Sequence, residues 1–148
     1  MSYFPFFREI EGEKCLVIGG GKVAARKISR LKEFGVKIKV VAPSIVSDIE
    51  AMAQACDNIS VERRIITPQD IENADFVIAA AGEEADKEAA RLCKERSIPV
   101  NVVDNQELCD FIFPSIIRKG DMVAGFVTGG KSPHVAAKIR RDCEMNIS

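Results

Sequence analysis

Three consecutive glycines, Gly19, Gly20 and Gly21, stand between an apolar run and a helical pattern, and they restrict the fold of this 148-residue chain more than any other feature. With Lys22, Val23 and Ala24 they spell G-x-G-x-x-A. In that pattern the first glycine allows a tight turn and the next lets a diphosphate approach the backbone. The small last residue lets the helix pack closely on the sheet. Free N–H groups at the helix start, with the positive end of its dipole, then hold an anion. Residues 14–18 read as a buried strand, and Ala24, Ile28 and Leu31 recur at helical spacing until Gly35, where the helix should stop. Strand, glycine turn and helix in that order imply a dinucleotide site. A plain tight turn in the same fold is the alternative.

Strand-like and helix-like segments alternate from there on. Residues 36–41 predict a second strand, closed by Pro43; Ile45, Ile49, Met52, Ala53 and Cys56 then line a helical face with Ser44 or Ser47 as cap. Residues 59–66 predict a third strand, and residues 75–80 a fourth that ends in Ala81 and Gly82. Ala85, Ala89, Leu92 and Cys93 mark another helix, and residues 99–103 a fifth strand that Asp104 ends. The alternation predicts an α/β fold, a Rossmann-type parallel sheet with helices on both faces and right-handed crossovers. We take residues 1–110 as this domain. Residues 111–148 have a different texture, with apolar runs broken by Pro114, a turn at 118–121 and a run over 122–127. A helix entered by Pro133, with Ser132 as cap, carries Val135, Ala136 and Ile139 on one side. This is a small β-rich lobe suited to pairing with a second copy.

Composition narrows the function classes. At 47% hydrophobic and 29% charged, the chain can bury a core of its own. No uncharged run approaches the ~20 residues of a membrane helix, and the first residues carry neither a basic leader nor a long apolar core, so a cytoplasmic protein is expected. The net charge of −1 argues against a nucleic-acid partner. Cys15, Cys56, Cys93, Cys109 and Cys143 show no C-x-x-C spacing, and with the single His134 they make no metal-ligand set; reduced, mostly buried thiols are expected. From Phe113 onward six basic residues stand against three acidic ones. Such a tail meets an anionic ligand or is simply solvated.

In open α/β sheets the site lies beyond the carboxyl ends of the strands. Three stretches fall there: Gly19–Lys22, Ala80–Gly82, and Asp104 with Asn105. The acid that an NAD site commonly carries after its second strand is missing, since the sequence reads Val40-Val41-Ala42-Pro43-Ser44. Backbone and the Ser44 hydroxyl are then left to meet the ribose. No arginine follows to take a 2′-phosphate, which favours NAD over NADP, with Lys37 and Lys39 as the cations near enough to alter that. Asp104 is either a general base whose pKa an apolar wall raises, or a turn cap beside Asn105. Residues 128–133 offer backbone donors, two hydroxyls and Lys131: an anion grip, or a turn with its helix cap. His134 is a proton carrier, a metal ligand or, more simply, exposed.

Four blocks carry a resemblance. They are Phe4-Pro5-Phe6-Phe7 with residues 16–27 and 40–43, then Asn101-Val102-Val103-Asp104, then residues 109–116, then residues 128–133. In order and spacing they resemble the N-terminal module of the sirohaem synthases, the family of precorrin-2 dehydrogenases, some of which are also sirohydrochlorin ferrochelatases. The resemblance runs over essentially the whole chain. It implies that Gly19, Gly20, Gly21, Lys22, Val23, Pro43 and Ser44, with Ala81 and Gly82, hold NAD, and that Asp104 is the catalytic acid–base. Asn101, Thr128, Gly129, Gly130, Lys131 and Ser132 would meet the tetrapyrrole substrate, and the strands after Phe111 would form a homodimer. The reaction implied is NAD-dependent oxidation of precorrin-2 to sirohydrochlorin, with Lys131, Arg140 and Arg141 facing the macrocycle's acid groups. An enzyme that also inserts iron, and a non-catalytic NAD sensor, are the rival readings. Two departures stand out: this chain stops at Ser148 where relatives continue into a helical segment, and Ala81-Gly82 replaces a hydroxyl residue many relatives carry.

Overall fold

The structure, a computed structural model, describes residues 2–147; Met1 and Ser148 lie outside them. The chain divides into two compact units, Glu9–Phe111 and, together, Met1–Arg8 with Ile112–Ser148.

The larger unit is one parallel sheet of five strands in the order β3-β2-β1-β4-β5. Its strands are β1 (Lys14–Ile18), β2 (Lys37–Val41), β3 (Ile59–Glu62), β4 (Phe76–Ala79) and β5 (Val100–Val102). The helices are α1 (Lys22–Leu31), α2 (Ser47–Ala55), α3 (Pro68–Glu72) and α4 (Glu83–Glu95). Cys15 to Ile18, all of β4 and all of β5 are buried, as expected of parallel strands covered on both faces. Helix α1 turns Ala24, Ala25, Ile28 and Leu31 inward and, after a 3-10 turn at Lys32–Phe34, ends at Gly35, whose φ of 69° is left-handed. Ile71, Val77, Leu92 and Val100 belong to one buried cluster between sheet and helices. Each such side chain stabilises the fold by roughly 1.5–3 kcal/mol.

Four expectations are corrected. The third strand ends at Glu62 instead of running to Ile66, because Thr67 and Asp70 form a capping box, with Pro68 in the first turn, that starts α3. Neither Ser44 nor Ser47 caps α2. Val46 takes that place, and its N–H donates to the Gly20 carbonyl at 2.8 Å. On α4, Ala85 is exposed and Asp86 is buried in its stead. Among the cysteines Cys15 and Cys93 are buried, but Cys56, Cys109 and Cys143 are half-buried; all five are free thiols.

In the smaller unit, β6 (Ser115–Lys119) and β7 (Met122–Phe126) pair antiparallel across a turn at Gly120, φ 59°. Helix α5 (Pro133–Asn146) follows and contacts both strands. Ser132 occupies its cap position, but without a side-chain bond to the helix. The Thr128 hydroxyl instead donates to the Ser132 carbonyl at 2.8 Å and accepts from its N–H at 3.3 Å. Of the expected apolar face only Ala136 is buried; Val135 and Ile139 are exposed. No helix among the described residues is long and apolar enough to cross a membrane.

Candidate dinucleotide site

The glycine turn leaves the carboxyl end of β1 and is shaped by what surrounds it. A Cβ on Gly19, whose φ is +117°, would lie 2.2 Å from the Ala80 carbonyl oxygen. One on Gly20 would lie 2.1 Å from the Ser44 carbonyl oxygen. Gly21 differs: a Cβ there meets nothing within 4 Å. The first two glycines therefore serve close backbone packing, and the third keeps open space beside the helix start. The motif writes its second position as any residue, so the need for Gly20 against the 44–45 loop was not legible in it.

Gly21 is the N-cap of α1, and no side chain caps the helix. Its carbonyl accepts the N–H of Ala25 at 3.0 Å, the first bond of the helix. The N–H groups of Lys22, Val23 and Ala24 accordingly have no carbonyl partner within the helix. The first turn holds no acid, so nothing there competes with an incoming anion for the dipole. Lys22, Pro43 and Ser44 are exposed; Ala24 is fully buried under the sheet.

A cleft of about 520 Å³ opens beside this turn at the carboxyl ends of β4 and β5. Val23, Ala80, Gly82, Asp86, Val102 and Asp104 contribute to its walls. The strand order reverses between β1 and its neighbours β2 and β4, which is where an open sheet places a ligand.

Asp104 follows β5 with φ 59°, a left-handed conformation that aspartate adopts more readily than most residues. It is exposed at a cleft it shares with Val23, Val102 and Leu108, and its carboxylate accepts no hydrogen bond from the described residues. The turn-cap alternative therefore has no bond to rest on. Backbone held in this region at a cleft is a frequent companion of function.

Asp86 is the acid that sequence reasoning missed. Its carboxylate reaches back from α4 to accept the N–H of Ala81 at 2.8 Å and of Gly82 at 3.3 Å. Those two donors are thereby spent, and Gly82 holds φ 113°. Burial pushes the Asp86 carboxyl above its ordinary value, the two N–H bonds oppose this, and the charge of Asp104 adds to it.

Asn101 is buried with its amide engaged. Its Oδ1 accepts from Lys27 Nζ at 3.1 Å and its Nδ2 donates to the Phe111 carbonyl at 3.0 Å. Burial lowers the Lys27 ammonium below its usual range, while Cys109 and Asp104 pull it the other way. Thr128, Gly129, Gly130, Lys131 and Ser132 belong to the smaller unit, where Gly129 and Gly130 both hold positive φ. Lys131 and His134 are exposed. No group of three His, Cys, Asp or Glu able to hold a metal occurs among the described residues.

A family model, NAD_binding_7, described as "Putative NAD(P)-binding", matches residues 6–115. Over 148 residues the chain is 38% identical to a siroheme synthase of Nitrosomonas eutropha and 39% identical to one of Thioalkalivibrio sulfidiphilus. Each match takes in 99% of this chain but only 31% and 30% of those proteins, so the chain spans less than a third of the curated relatives' length. Among solved structures it superposes on "SirC, precorrin-2 dehydrogenase" with a TM-score of 0.78 at 24% identity, covering 99% of this chain and 72% of that one. The likeness supports the fold described above, a Rossmann-type parallel sheet followed by a small antiparallel one.

Proposed function

The chain belongs to the NAD_binding_7 family, and from that premise we propose that it is an NAD-dependent dehydrogenase that oxidises precorrin-2 to sirohydrochlorin. The observation that carries the proposal is the uncapped start of α1, open at Gly21, beside a cleft whose far wall bears Asp104.

The residues fit the coenzyme. Room at Gly21 admits a diphosphate, and the N–H groups of Lys22, Val23 and Ala24 point their dipole at it. Lys39 is committed to Glu62 and Asp70, both at 3.0 Å, and Arg64 to the same two acids, so neither is at liberty to take a 2′-phosphate; NAD is the coenzyme expected. Pro43, Ser44, Ala81 and Gly82 border the site by backbone. When bound, NAD supplies the hydride acceptor. Asp104 receives the proton that the substrate carbon releases.

Thr128, Gly129, Gly130, Lys131 and Ser132 are assigned to the tetrapyrrole, with Lys131 for its carboxylates. Asn101, its amide already satisfied, serves that end as a strut from β5 to Lys27 of α1 on one side and to the Phe111 carbonyl on the other. In this reading residues 1–110 bind the nucleotide, residues 111–148 serve substrate and dimerisation, and the protein is a cytoplasmic homodimer. The test is an absorbance assay of the purified chain with precorrin-2 and NAD, with and without Fe²⁺ as a substrate. Turnover to sirohydrochlorin supports the proposal, further conversion with iron adds chelation, and coenzyme binding without turnover replaces the enzyme with a sensor.

A further inference from the structure

Four ionisable side chains border the cleft: Glu83, Asp86 and Lys87 on α4, and Asp104 after β5. Three are acids and one is a base, and Lys87 is already paired to Glu83 at 2.7 Å. Asp86 is 5% exposed and fixed by two backbone N–H groups, so its charge stays at the cleft wall instead of swinging into solvent. Strands β4 and β5 add no charge. From α3, which packs on α4, Glu72 meets Arg96 near the far end of the helix, and Asp70 is held by Arg64. On the α1 side stand Lys22, Arg26 and Lys27, none of which lines the cleft; Lys27 is bonded to Asn101 and lies within the field of Asp104 and Arg26. The wall is left with an excess of negative charge.

A dinucleotide whose diphosphate rests on α1 lays one half over β2 and the other over β4 and β5, since the crevice lies where the strand order reverses. The half over β4 and β5 enters this cleft. Oxidised nicotinamide is a cation; reduced nicotinamide is neutral. We propose that the acidic wall, with Asp86 fixed within it, is the specificity determinant that makes the site bind the oxidised coenzyme in preference to the reduced one. Asp86 then acts on binding through charge, besides holding the Ala81–Gly82 turn in place. The inference rests on the dinucleotide reading above and deepens it. Its chemical sense is direct: product coenzyme leaves a site that no longer attracts it.

The experiment measures dissociation constants of NAD⁺ by calorimetry and of NADH by its own fluorescence, on the full chain and two variants. The parent should bind NAD⁺ more tightly, and the preference should grow as pH rises through the titration of Asp86, because ionisation adds the charge that attracts the cation. Asp86→Asn should weaken NAD⁺ binding about three- to tenfold, as expected for one partly screened charge, and leave NADH nearly unchanged. Lys87→Gln, at an exposed position, should move the ratio the other way. Equal losses for both coenzymes in Asp86→Asn would reduce that residue to a structural tether, and a ratio unmoved by either variant would overturn the proposal. Should the parent bind neither coenzyme, the dinucleotide reading itself fails; should it bind both equally, only this inference does.

Discussion

Gly19 and Ala80 meet backbone to backbone, so closely that a Cβ on the glycine would stand 2.2 Å from the alanine's carbonyl oxygen. The contact joins the glycine turn after β1 to the turn after β4. It also separates what the three glycines do. Gly19→Ala combines a left-handed φ with a backbone clash and should cost about 3 kcal/mol or more. Gly21→Asp places a good capping residue at an open N-cap and should hold or slightly raise stability. The same carboxylate repels a diphosphate, so NAD affinity should fall at least about tenfold. Urea denaturation with coenzyme titration checks both, and a Gly21→Asp protein that binds NAD as the parent does would place the coenzyme elsewhere.

Asp104→Asn keeps the side chain's size and the residue's tolerance of φ 59° while removing its basicity. The variant should fold, bind NAD within about tenfold of the parent, and lose roughly 10²- to 10⁴-fold in precorrin-2 oxidation. Equal turnover in the two proteins removes Asp104 from the mechanism.

Stability in acid should depend on Asp70. It is buried, receives Arg64 at 2.7 Å and Lys39 at 3.0 Å, and accepts the Thr67 N–H at 2.8 Å. The Arg64 guanidinium, aided by Thr67 and Lys39, holds its carboxyl well below the usual carboxylate range in spite of burial. Its folded-state value being depressed, its contribution is fully present above the unfolded value near 3.8 and is lost as pH falls from there toward the folded value. Asp70→Ala should cost about 2–4 kcal/mol at neutral pH, because Lys39 and Arg64 lose their buried partner and keep only the more exposed Glu62. The deficit should shrink below pH 4, and a pH-independent deficit in chemical denaturation would contradict the assignment.

The β6–β7 hairpin has only two strands among the described residues, an arrangement of marginal stability alone. Met122 and Val127 are exposed beside it. Light scattering at micromolar concentration should report the mass of two chains, and Met122→Lys with Val127→Lys should shift it toward one. A monomeric parent would remove the homodimer from the proposal.

What the sequence made legible follows from which signals local chemistry writes plainly. Strands buried on both faces announce themselves as unbroken apolar runs, which is why β1, β4 and β5 were placed within a residue or two. The edge strand β3 was overextended because Ile65 and Ile66 look like strand residues while the geometry is decided at Thr67-Pro68-Gln69-Asp70. That capping signature outweighs the strand propensity of the two isoleucines before it. Asp86 escaped for a deeper reason. Hydrophobic periodicity assigns the inward face of α4 by its apolar residues, so an acid on that face is indistinguishable from a surface charge until its backbone partners are known. Asp104 was visible because it ends a strand; that its carboxylate stays unbonded was not.

The central position of β1 has a consequence for how the protein is made. Strand β2 pairs with β1 and β3 with β2, after which β4 returns to the other side of β1 and β5 pairs with β4. Every strand after β1 thus finds a neighbour already synthesised when it leaves the ribosome. The sheet can grow outward from its first strand in the order of translation, with its open edges changing hands at each addition.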